Sequence, residues 1–301
     1  MTSTATTSSA QPTSHDPSFP IERISTSQPS APGWRPPQHT HRRNSLSPTP
    51  SETSSAAEDE DTVHASNYPT GNMSLSGISL RAFLLGVTLG LSACSTLFLV
   101  AVYPTPLWRA PFFISALSLF HFLEFFVTAK YNTRYATVSA FLLSSNGWAY
   151  NAAHGSALVE CLLSQLFWPN TSIIPGVLST TALALGFILM LVGQVTRTLA
   201  MAQAASNFNH HIQVEHKEGH VLVTQGLYRL LRHPSYFGFF WWGLGTQLVL
   251  GNAVCLVGYA VVLWRFFSIR IQREENFLVQ FFGEEYIRYR KTTPVGIPGI
   301  R

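Results

Sequence analysis

Apolar runs of about membrane-spanning length occupy most of the sequence beyond residue 80. The first run covers residues 82–103, and Pro104 and Pro106 end it. A helix needs about 20 mainly apolar residues to cross a hydrocarbon core of roughly 30 Å, and this run has that length. We predict six membrane helices, at residues 82–103, 111–129, 148–167, 173–201, 237–250 and 253–267.

Three of these segments are less regular than the others. Residues 148–167 carry several polar side chains, so we expect this helix to pack inside the bundle through its small residues. Residues 237–250 and 253–267 are each short for a full crossing, and Gly251 and Asn252 between them predict a tight turn. The last two segments therefore form a predicted helical hairpin.

The C-terminal segment has a different pattern from the membrane runs. Between residues 265 and 291 apolar and charged side chains alternate as on a helix, until Gly283 breaks the pattern. Such a helix leaves the membrane and lies partly along its surface. The predicted fold class is therefore all-α, a polytopic membrane bundle of about six spans with a cytosolic loop and a C-terminal helix.

The N-terminal part of the chain has another composition. Residues 1–74 are rich in Ser, Thr and Pro, and such a segment cannot bury enough apolar surface to offset the entropy of ordering. We predict a disordered cytosolic tail at 1–74, followed by one membrane domain at 75–301. The chain carries 11% charged residues and a net charge of +4 that is not clustered, which does not indicate nucleic-acid binding.

Basic residues at the ends of the runs predict the orientation. With a cytosolic N-terminus, Lys130, Arg134, Arg197 and the Arg-rich C-terminus all fall on the cytosolic side, and only Arg109 falls on the other. Cytosolic loops of membrane proteins carry an excess of Lys and Arg. This pattern supports an even number of spans with both termini in the cytosol.

Some polar residues inside the runs have a structural interpretation. Placing the charge of Glu124 at mid-membrane costs at least about 2.5 kcal/mol, so we expect it to face the bundle interior and to form a hydrogen bond between helices. The three cysteines are spread singly within apolar segments, without the spacing of a metal site, so we expect buried small hydrophobes at Cys94, Cys161 and Cys255.

Four histidines between residues 210 and 220 raise the question of a metal site, namely His210, His211, His216 and His220. His216 and His220 are spaced for one helix face, but no cysteine lies near and no second histidine group follows at another span end. We therefore expect no metal. The glycines at 243 and 245 do not form a dinucleotide-binding loop, because they lie inside an apolar run with no preceding strand.

The densest polar stretch lies between the fourth and fifth runs. Residues 220–223 are strand-like, 224–226 form a turn, and 227–231 start a helix that Pro234 interrupts, because proline disfavours a helical conformation at the residue before it. The loop thus folds over the end of the bundle and re-enters it through a proline-capped helix start. A helix N-terminus favours negative charge, such as a ligand carboxylate.

A second polar group follows at Arg270 and Glu274. These residues are four apart and share one helix face. One interpretation is a surface ion pair worth roughly 0.3–0.5 kcal/mol. The other is a binding site that offers a cation and an anion to two different ligands.

The stretch NFNHHIQVEHKEGHVLVTQGLYRLLRHPSYFG at 207–238, GTQ at 245–247, WRFF at 264–267, the EE pair at 274–275 and FGEEYIRY at 282–289 occur together. In this combination the sequence resembles the isoprenylcysteine carboxyl methyltransferase family. The resemblance is strong over 207–298 and looser over the preceding spans.

The resemblance implies methylation of the C-terminal carboxylate of a prenylated cysteine, with S-adenosyl-L-methionine as cofactor. The substrates would be prenylated CaaX proteins, such as small GTPase-type proteins, or lipopeptides, and the location would be the endoplasmic reticulum membrane. Arg270 would be the catalytic and substrate-binding residue that holds the carboxylate. The cofactor contacts would be Gln213, His220, Val221, Leu222, Val223, Tyr228, His233, Pro234, Ser235, Tyr236 and Glu274.

The chemistry of these residues leaves alternatives. A phospholipid N-methyltransferase would share the cofactor loop but would have no evident use for a carboxylate clamp at Arg270. A membrane sterol reductase shares RHP-type pieces, and the chain is short for one. A catalytically inactive membrane scaffold would not need the polar set around Arg270 and Glu274, which is costly to keep at a membrane face.

Overall fold

The computed structural model describes residues 65–143, 145–167, 176–217 and 219–301, without the side chains of residues 176–178. Across these ranges the regular structure is helical and no strand occurs, which confirms the predicted all-α class. The predicted tail lies outside the described residues as far as residue 64. Residues 65–74 form a helical turn followed by bends that lead into the first long helix.

Seven α-helices follow Ser74 in the described chain. They are α1 (Leu75–Ala101), α2 (Arg109–Tyr131), α3 (Gly147–Phe167), α4 (Gly176–Ala204), α5 (Pro234–Leu250), α6 (Val254–Phe282) and α7 (Glu284–Thr292). The longest connection between described helices, residues 205–233, joins α4 to α5. Shorter 3-10 turns lie at Pro106–Trp108, Thr133–Tyr135, Val138–Phe141, Ala205–Asn207 and Gly226–Arg229. Helices α1 to α6 correspond in order to the six predicted membrane segments.

Length and composition qualify four helical segments of the described chain to cross a membrane. They are Leu75–Ala101, Pro106–Tyr131, Ser179–Asn207 and Val254–Phe282. Helix α3 carries too many polar side chains, and α5 has 17 residues, a length of about 25 Å. The predicted sixth span and the predicted surface helix are one continuous helix, because nothing interrupts α6 before Gly283.

Local sequence explains where the helices begin and end. The Ser74 side chain accepts a hydrogen bond from Gly77 N at 3.1 Å, so α1 begins seven residues before the predicted start. Pro234 occupies the first turn of α5, where its fixed φ suits a helix and no N–H is lost. Gly251 ends α5 and Gly283 ends α6 with positive φ values of 76° and 53°, which side-chain-bearing residues rarely adopt.

Helices α4 and α5 pack backbone against backbone. A Cβ atom placed on Gly193 would lie 2.5 Å from the carbonyl oxygen of Gly238, and one on Gly238 would lie 2.6 Å from that of Gly193. About two turns away along each helix, a Cβ on Gly245 would lie 2.7 Å from the carbonyl oxygen of Gly186. Gly193 meets Gly238 and Gly186 meets Gly245, so residue numbers rise along one helix as they fall along the other. The two helices therefore run antiparallel, with glycine at both points of close contact.

Helix α3 buries only Ala157 and Cys161, so the prediction that it packs inside the bundle is wrong, because its other faces point outward. Polar contacts join this peripheral helix to the α5–α6 hairpin. The Glu160 carboxylate accepts hydrogen bonds from Val254 N at 2.9 Å and Cys255 N at 2.7 Å, which caps the N-terminus of α6. Asn252 in the turn donates to the Ala157 carbonyl oxygen at 2.8 Å. The Glu160 side chain therefore serves the fold.

The three cysteines differ in burial. Cys161 is fully buried among apolar side chains and Cys255 is half-buried, but Cys94 is exposed on α1. The prediction that all three are buried is therefore wrong for Cys94. Helix α1 packs mainly on α2, so most of its surface faces outward and an apolar residue there meets lipid instead of protein.

The α4–α5 packing predicts the effect of adding one methyl group. We expect Gly193→Ala to destabilise the protein by about 1–3 kcal/mol, because its Cβ would overlap the backbone of α5. The measurement is thermal unfolding of the purified variant in detergent micelles. Gly258→Ala is the matched control, since a Cβ there meets nothing within 4 Å. Equal unfolding temperatures for the two variants would contradict the close approach of the helices.

Candidate active site

A cavity lies where α5 begins, between the 208–233 segment and the C-terminal part of α6. The 220–223 stretch that forms one wall is extended but pairs in no sheet, so the predicted strand-like piece is a loop. The predicted helix start at 227–231 is the 3-10 turn Gly226–Arg229. The lining residues include Asn207, Phe208, Asn209, Arg232, Leu278, Phe282, Tyr286 and Tyr289.

The cavity also brings together most of the predicted cofactor-binding residues. Gln213 does not line it, and Arg270 lies beside it on α6. The predicted residues that line the cavity are His220, Val221, Leu222, Val223, Tyr228, His233, Pro234, Ser235, Tyr236 and Glu274. They come from the loop, from the first turn of α5 and from α6. The first and last of them, His220 and Glu274, are 54 positions apart in the sequence.

Arg270 and Glu274 are joined through a third residue. The Tyr236 hydroxyl donates to Glu274 Oε2 at 2.5 Å and accepts from Arg270 Nε at 2.8 Å. Arg270 Nη2 also donates to the His210 carbonyl oxygen at 2.5 Å. The two charged residues therefore do not form the direct surface ion pair that their spacing permits. Tyr236 instead links a cation and an anion that face different parts of the site.

The Glu275 carboxylate on α6 binds the residues just before the start of α5. Its Oε1 accepts from Arg232 Nε at 2.5 Å and lies 3.2 Å from His233 Nε2, and its Oε2 lies 3.3 Å from Arg290 Nε. Arg232 also donates to the Thr293 carbonyl oxygen at 2.8 Å. Glu275 is 3% exposed, so its charge depends on these partners. Adjacent glutamates thus have different roles, since Glu274 faces the cavity and Glu275 anchors its wall.

A second buried carboxylate holds the other side of the site. Glu124 on α2 forms a bidentate ion pair with Arg197 on α4, and Arg197 Nη1 donates to Ser235 Oγ at 2.9 Å. The His210 ring lies 3.7 Å from Glu124 Oε2 and 3.4 Å from Thr128 Oγ1. The expectation that Glu124 faces the interior in a structural contact between helices is confirmed.

Two loop histidines have lowered pKa values. Burial lowers the pKa of His210 to about 4, and the neighbouring Glu124 carboxylate opposes that shift only in part. Burial also lowers the pKa of His220, with a smaller contribution from His216. Both shifts favour the neutral ring at neutral pH. A neutral His210 is compatible with its carbonyl contact to Arg270, because no second positive charge is placed there.

The histidines do not converge on one point. The His216 and His220 rings lie 5.7 Å apart and pack against Phe281 and Phe282 at the end of α6. Within the described ranges no group of three or more His, Cys, Asp or Glu side chains has the arrangement of a metal site. The spacing of His216 and His220 lets both rings pack against the same phenylalanines. This packing holds the loop against α6.

Several residues of the site were not singled out from the sequence. Arg197, Arg232, Glu275 and Tyr286 all lie at its walls. Arg197 did carry a signal, because a charged residue near the end of an apolar run needs a partner, and the preceding predicted spans contain two acidic residues, Glu124 and Glu160. Tyr286 carried none beyond its place in a motif.

The fold and the cavity define a class of protein: a polytopic helical membrane protein with an arginine beside a polar, aromatic-lined cavity. Comparison with known proteins identifies the family. The model of the isoprenylcysteine carboxyl methyltransferase (ICMT) family matches residues 184–280. The chain is 44% identical over 225 residues to the protein-S-isoprenylcysteine O-methyltransferase of Saccharomyces cerevisiae, covering 74% of this chain and 91% of that one.

Further relatives agree. The human protein-S-isoprenylcysteine O-methyltransferase is 40% identical over 225 residues, with 74% of this chain and 75% of that one covered. The solved structure of the eukaryotic intramembrane Ras methyltransferase ICMT superposes with a TM-score of 0.67 at 32% identity, over 84% of this chain and 88% of that one. The chain belongs to the isoprenylcysteine carboxyl methyltransferase family, and the predicted resemblance is confirmed.

The bridging hydroxyl of Tyr236 predicts a kinetic effect. We expect Tyr236→Phe to lower kcat/KM for methyl transfer at least tenfold, because hydrogen bonds to charged groups contribute about 1.5–3 kcal/mol and both Arg270 and Glu274 lose one. The measurement is initial-rate kinetics in detergent or nanodiscs. Tyr259→Phe removes a hydroxyl that bonds to His154 away from the cavity and should keep wild-type kinetics. Unchanged kinetics in Tyr236→Phe would refute the bridge.

The lowered pKa of His210 predicts how stability varies with pH. The unfolded chain takes up a proton on this ring near pH 6.5, but the folded chain does so only near pH 4. Stability should therefore fall as the pH drops from about 6.5 to 4, by roughly 3 kcal/mol at most. Thermal unfolding in detergent across this range should show a flatter pH dependence for His210→Gln. The exposed neighbour provides the comparison, because His211 makes only a smaller contribution to the lowered pKa of His210 and His211→Gln should flatten the slope much less.

Proposed function

We propose that this enzyme transfers the methyl group of S-adenosyl-L-methionine to the C-terminal carboxylate of an isoprenylated cysteine. Membership of the carboxyl methyltransferase family supports the reaction, and the related proteins give no support to the phospholipid N-methyltransferase alternative. The observation that supports the site assignment is the Arg270–Tyr236–Glu274 chain of hydrogen bonds, with Arg270 beside the cavity and Glu274 in its lining.

The cavity suits S-adenosyl-L-methionine by its chemistry. The Glu274 carboxylate offers an acceptor to the ammonium group, and the rings of Tyr228, Tyr236 and Phe282 offer faces to a cation or a purine. The Tyr286 side chain also lines the cavity and adds a further aromatic face to it. When bound, the cofactor supplies an electrophilic methyl group on a sulfonium.

The carboxylate nucleophile needs no base. A chain-terminal carboxyl has a reference pKa of about 3.3–3.7 and is ionised at neutral pH. The reaction joins an anion and a sulfonium into neutral products, so a site with little water favours it by not stabilising the separated charges. What remains for the protein is to hold both partners in line at close range.

Arg270 has the geometry for this task. Its contacts to Tyr236 and His210 use Nε and one hydrogen of Nη2, which leaves the Nη1–Nη2 edge for the two oxygens of a carboxylate. The Tyr236 proton is directed to Glu274, so the substrate carboxylate does not receive it. The guanidinium is stacked within 5.3 Å of the Tyr236 ring centre and 5.9 Å of the Phe266 ring centre, which limits its movement.

The prenyl chain has an apolar surface to follow beside Arg270. Phe266, one turn before Arg270 on α6, is 51% exposed. Ile269, the residue directly before Arg270, is 56% exposed. In a membrane these side chains face lipid. A prenyl group lying along them would reach the clamp from the bilayer, and the cofactor would enter the cavity from the cytosol.

The same proposal covers substrates and location. Prenylated CaaX proteins, such as small GTPase-type proteins, or lipopeptides would present the carboxylate, and the enzyme would reside in the endoplasmic reticulum membrane with both termini in the cytosol. The basic residues around the cavity side support that orientation, since Arg229, Arg270 and Arg273 lie there and Arg109 lies at the opposite end of α5.

Two substitutions separate the roles of the clamp and the cofactor acceptor. Arg270→Gln should raise KM for N-acetyl-S-farnesylcysteine with little change in KM for the methyl donor, whereas Glu274→Gln should do the reverse. Each change in kcat/KM should be about tenfold to a hundredfold, as for a lost charge-assisted contact. The measurement is transfer of labelled methyl groups, with release of the label by base to identify a methyl ester.

Matched variants control for charge and folding. Arg273→Gln and Glu285→Gln remove exposed charges near the site and should keep wild-type kinetics. Base-stable label would exclude a methyl ester and overturn the proposed reaction. If both KM values rose equally in both site variants, the separate assignment of Arg270 and Glu274 would be wrong.

A further inference from the structure

A second depression on the surface lies between α7 and the last residues of the chain. We call it the C-terminal groove, and it has a volume of about 850 Å³, within the usual range for small-ligand sites. Its rim carries the positively charged side chains of Arg290, Lys291 and Arg301, and Arg232 lies in its wall. Among the described residues, no acidic side chain lines it.

The positive charge of the groove is only partly neutralised. Glu275 lies behind the wall and binds Arg232 and Arg290, but the described ion pairs include neither Lys291 nor Arg301, and both are exposed. Arg232 is 7% exposed, and its Nη2 is buried without a hydrogen-bond partner. Unused donors beside exposed cations are the arrangement that binds a phosphate group.

The position of the groove near the membrane surface indicates a lipid headgroup as the source of that phosphate. Trp264 Nε1 on α6 donates to the carbonyl oxygen of Pro298, which lines the groove, at 2.8 Å. Trp264 is 43% exposed and the adjacent Arg265 is also exposed. An exposed arginine beside an exposed tryptophan marks the level of the lipid headgroups, because neither the charge nor the indole N–H is favoured in hydrocarbon.

We infer that the C-terminal groove binds the phosphate headgroup of an anionic phospholipid. Arg290, Lys291 and Arg301 supply the charge, and the acyl chains extend past Trp264 into the bilayer. Anionic lipids are enriched in the cytosolic leaflet, the side on which the proposed orientation places the groove.

The groove shares a wall with the cofactor cavity. Arg232 lines both, and Glu275 connects Arg232 and Arg290 to His233 at the first turn of α5. A bound headgroup would therefore hold the C-terminal segment in place against the residues that support the cavity. The lipid acts here as a ligand of the folded state, separate from the methyl-transfer chemistry.

The test uses the full-length protein in nanodiscs of phosphatidylcholine alone or of phosphatidylcholine with phosphatidylserine. Phosphatidylserine should raise the unfolding midpoint by about 2–4 °C, and the shift should shrink at high salt. The double variant Lys291→Gln and Arg301→Gln should lose most of the shift and should retain less phosphatidylserine after purification, as measured by mass spectrometry of extracted lipid.

A second double variant controls for total charge. Lys130→Gln and Arg134→Gln remove two exposed cations elsewhere on the chain and should keep the full shift. The inference is overturned if the groove variant responds to phosphatidylserine as the wild type does, or if the control variant loses the response equally. An equal shift from inorganic phosphate in phosphatidylcholine nanodiscs would replace the lipid with a soluble anion, and one from polyglutamate would indicate an acidic protein partner.

Methyl transfer in phosphatidylcholine nanodiscs distinguishes a failure of this inference from a failure of the proposed function. Both double variants should keep wild-type activity there, because the substituted side chains lie outside the methyl-transfer site. Active enzyme without a phosphatidylserine-dependent shift would refute only the lipid site.

Discussion

The backbone contact between α4 and α5 is the constraint on which the site depends. With glycine at 193 and 238, the helices approach until an added Cβ on Gly238 would lie 2.7 Å from Arg197 N. This proximity places the Arg197 side chain where it can bind both Ser235 at the start of α5 and Glu124 on α2. The loop between the two helices must then close over their common end, which is where the cavity forms.

Two buried carboxylates fix the cavity from opposite sides. Glu124 binds Arg197, and Glu275 binds Arg232 and lies within hydrogen-bond distance of His233. Burying such charges is costly unless each is paired and hydrogen-bonded, and both glutamates meet that condition. The result is a rigid first turn of α5, from which Tyr236 reaches the reactive side chains. Preorganisation of this kind suits a reaction whose main requirement is alignment.

The residues of the proposed methyl-transfer site thus form two groups. We call them the reactive layer, formed by Tyr236, Arg270 and Glu274, and the supporting layer, formed by Glu275, Arg232 and Arg290. In the reactive layer Tyr236 connects Arg270 with Glu274, so that the proposed carboxylate clamp and the proposed cofactor acceptor share one hydroxyl. In the supporting layer Glu275 connects the cavity with the C-terminal segment through Arg290 and Arg232. Adjacent residues on one helix therefore face different layers, since positions 274 and 275 differ by about 100° around a helix axis.

The sequence by itself determined the helical membrane class, the order of the helices, the family and most residues of the cavity. Apolar run length, prolines and glycines set the helices locally, and the motifs at 207–238 and 270–289 identified the site. Tertiary structure alone decided that Arg270 meets Glu274 through Tyr236, that Glu275 anchors the wall, that Arg197 pairs with Glu124, and that Cys94 faces outward. These facts depend on which faces of distant helices meet. The glycines of the close α4–α5 contact are spaced by seven residues on each helix, but that spacing alone does not show which helices pair.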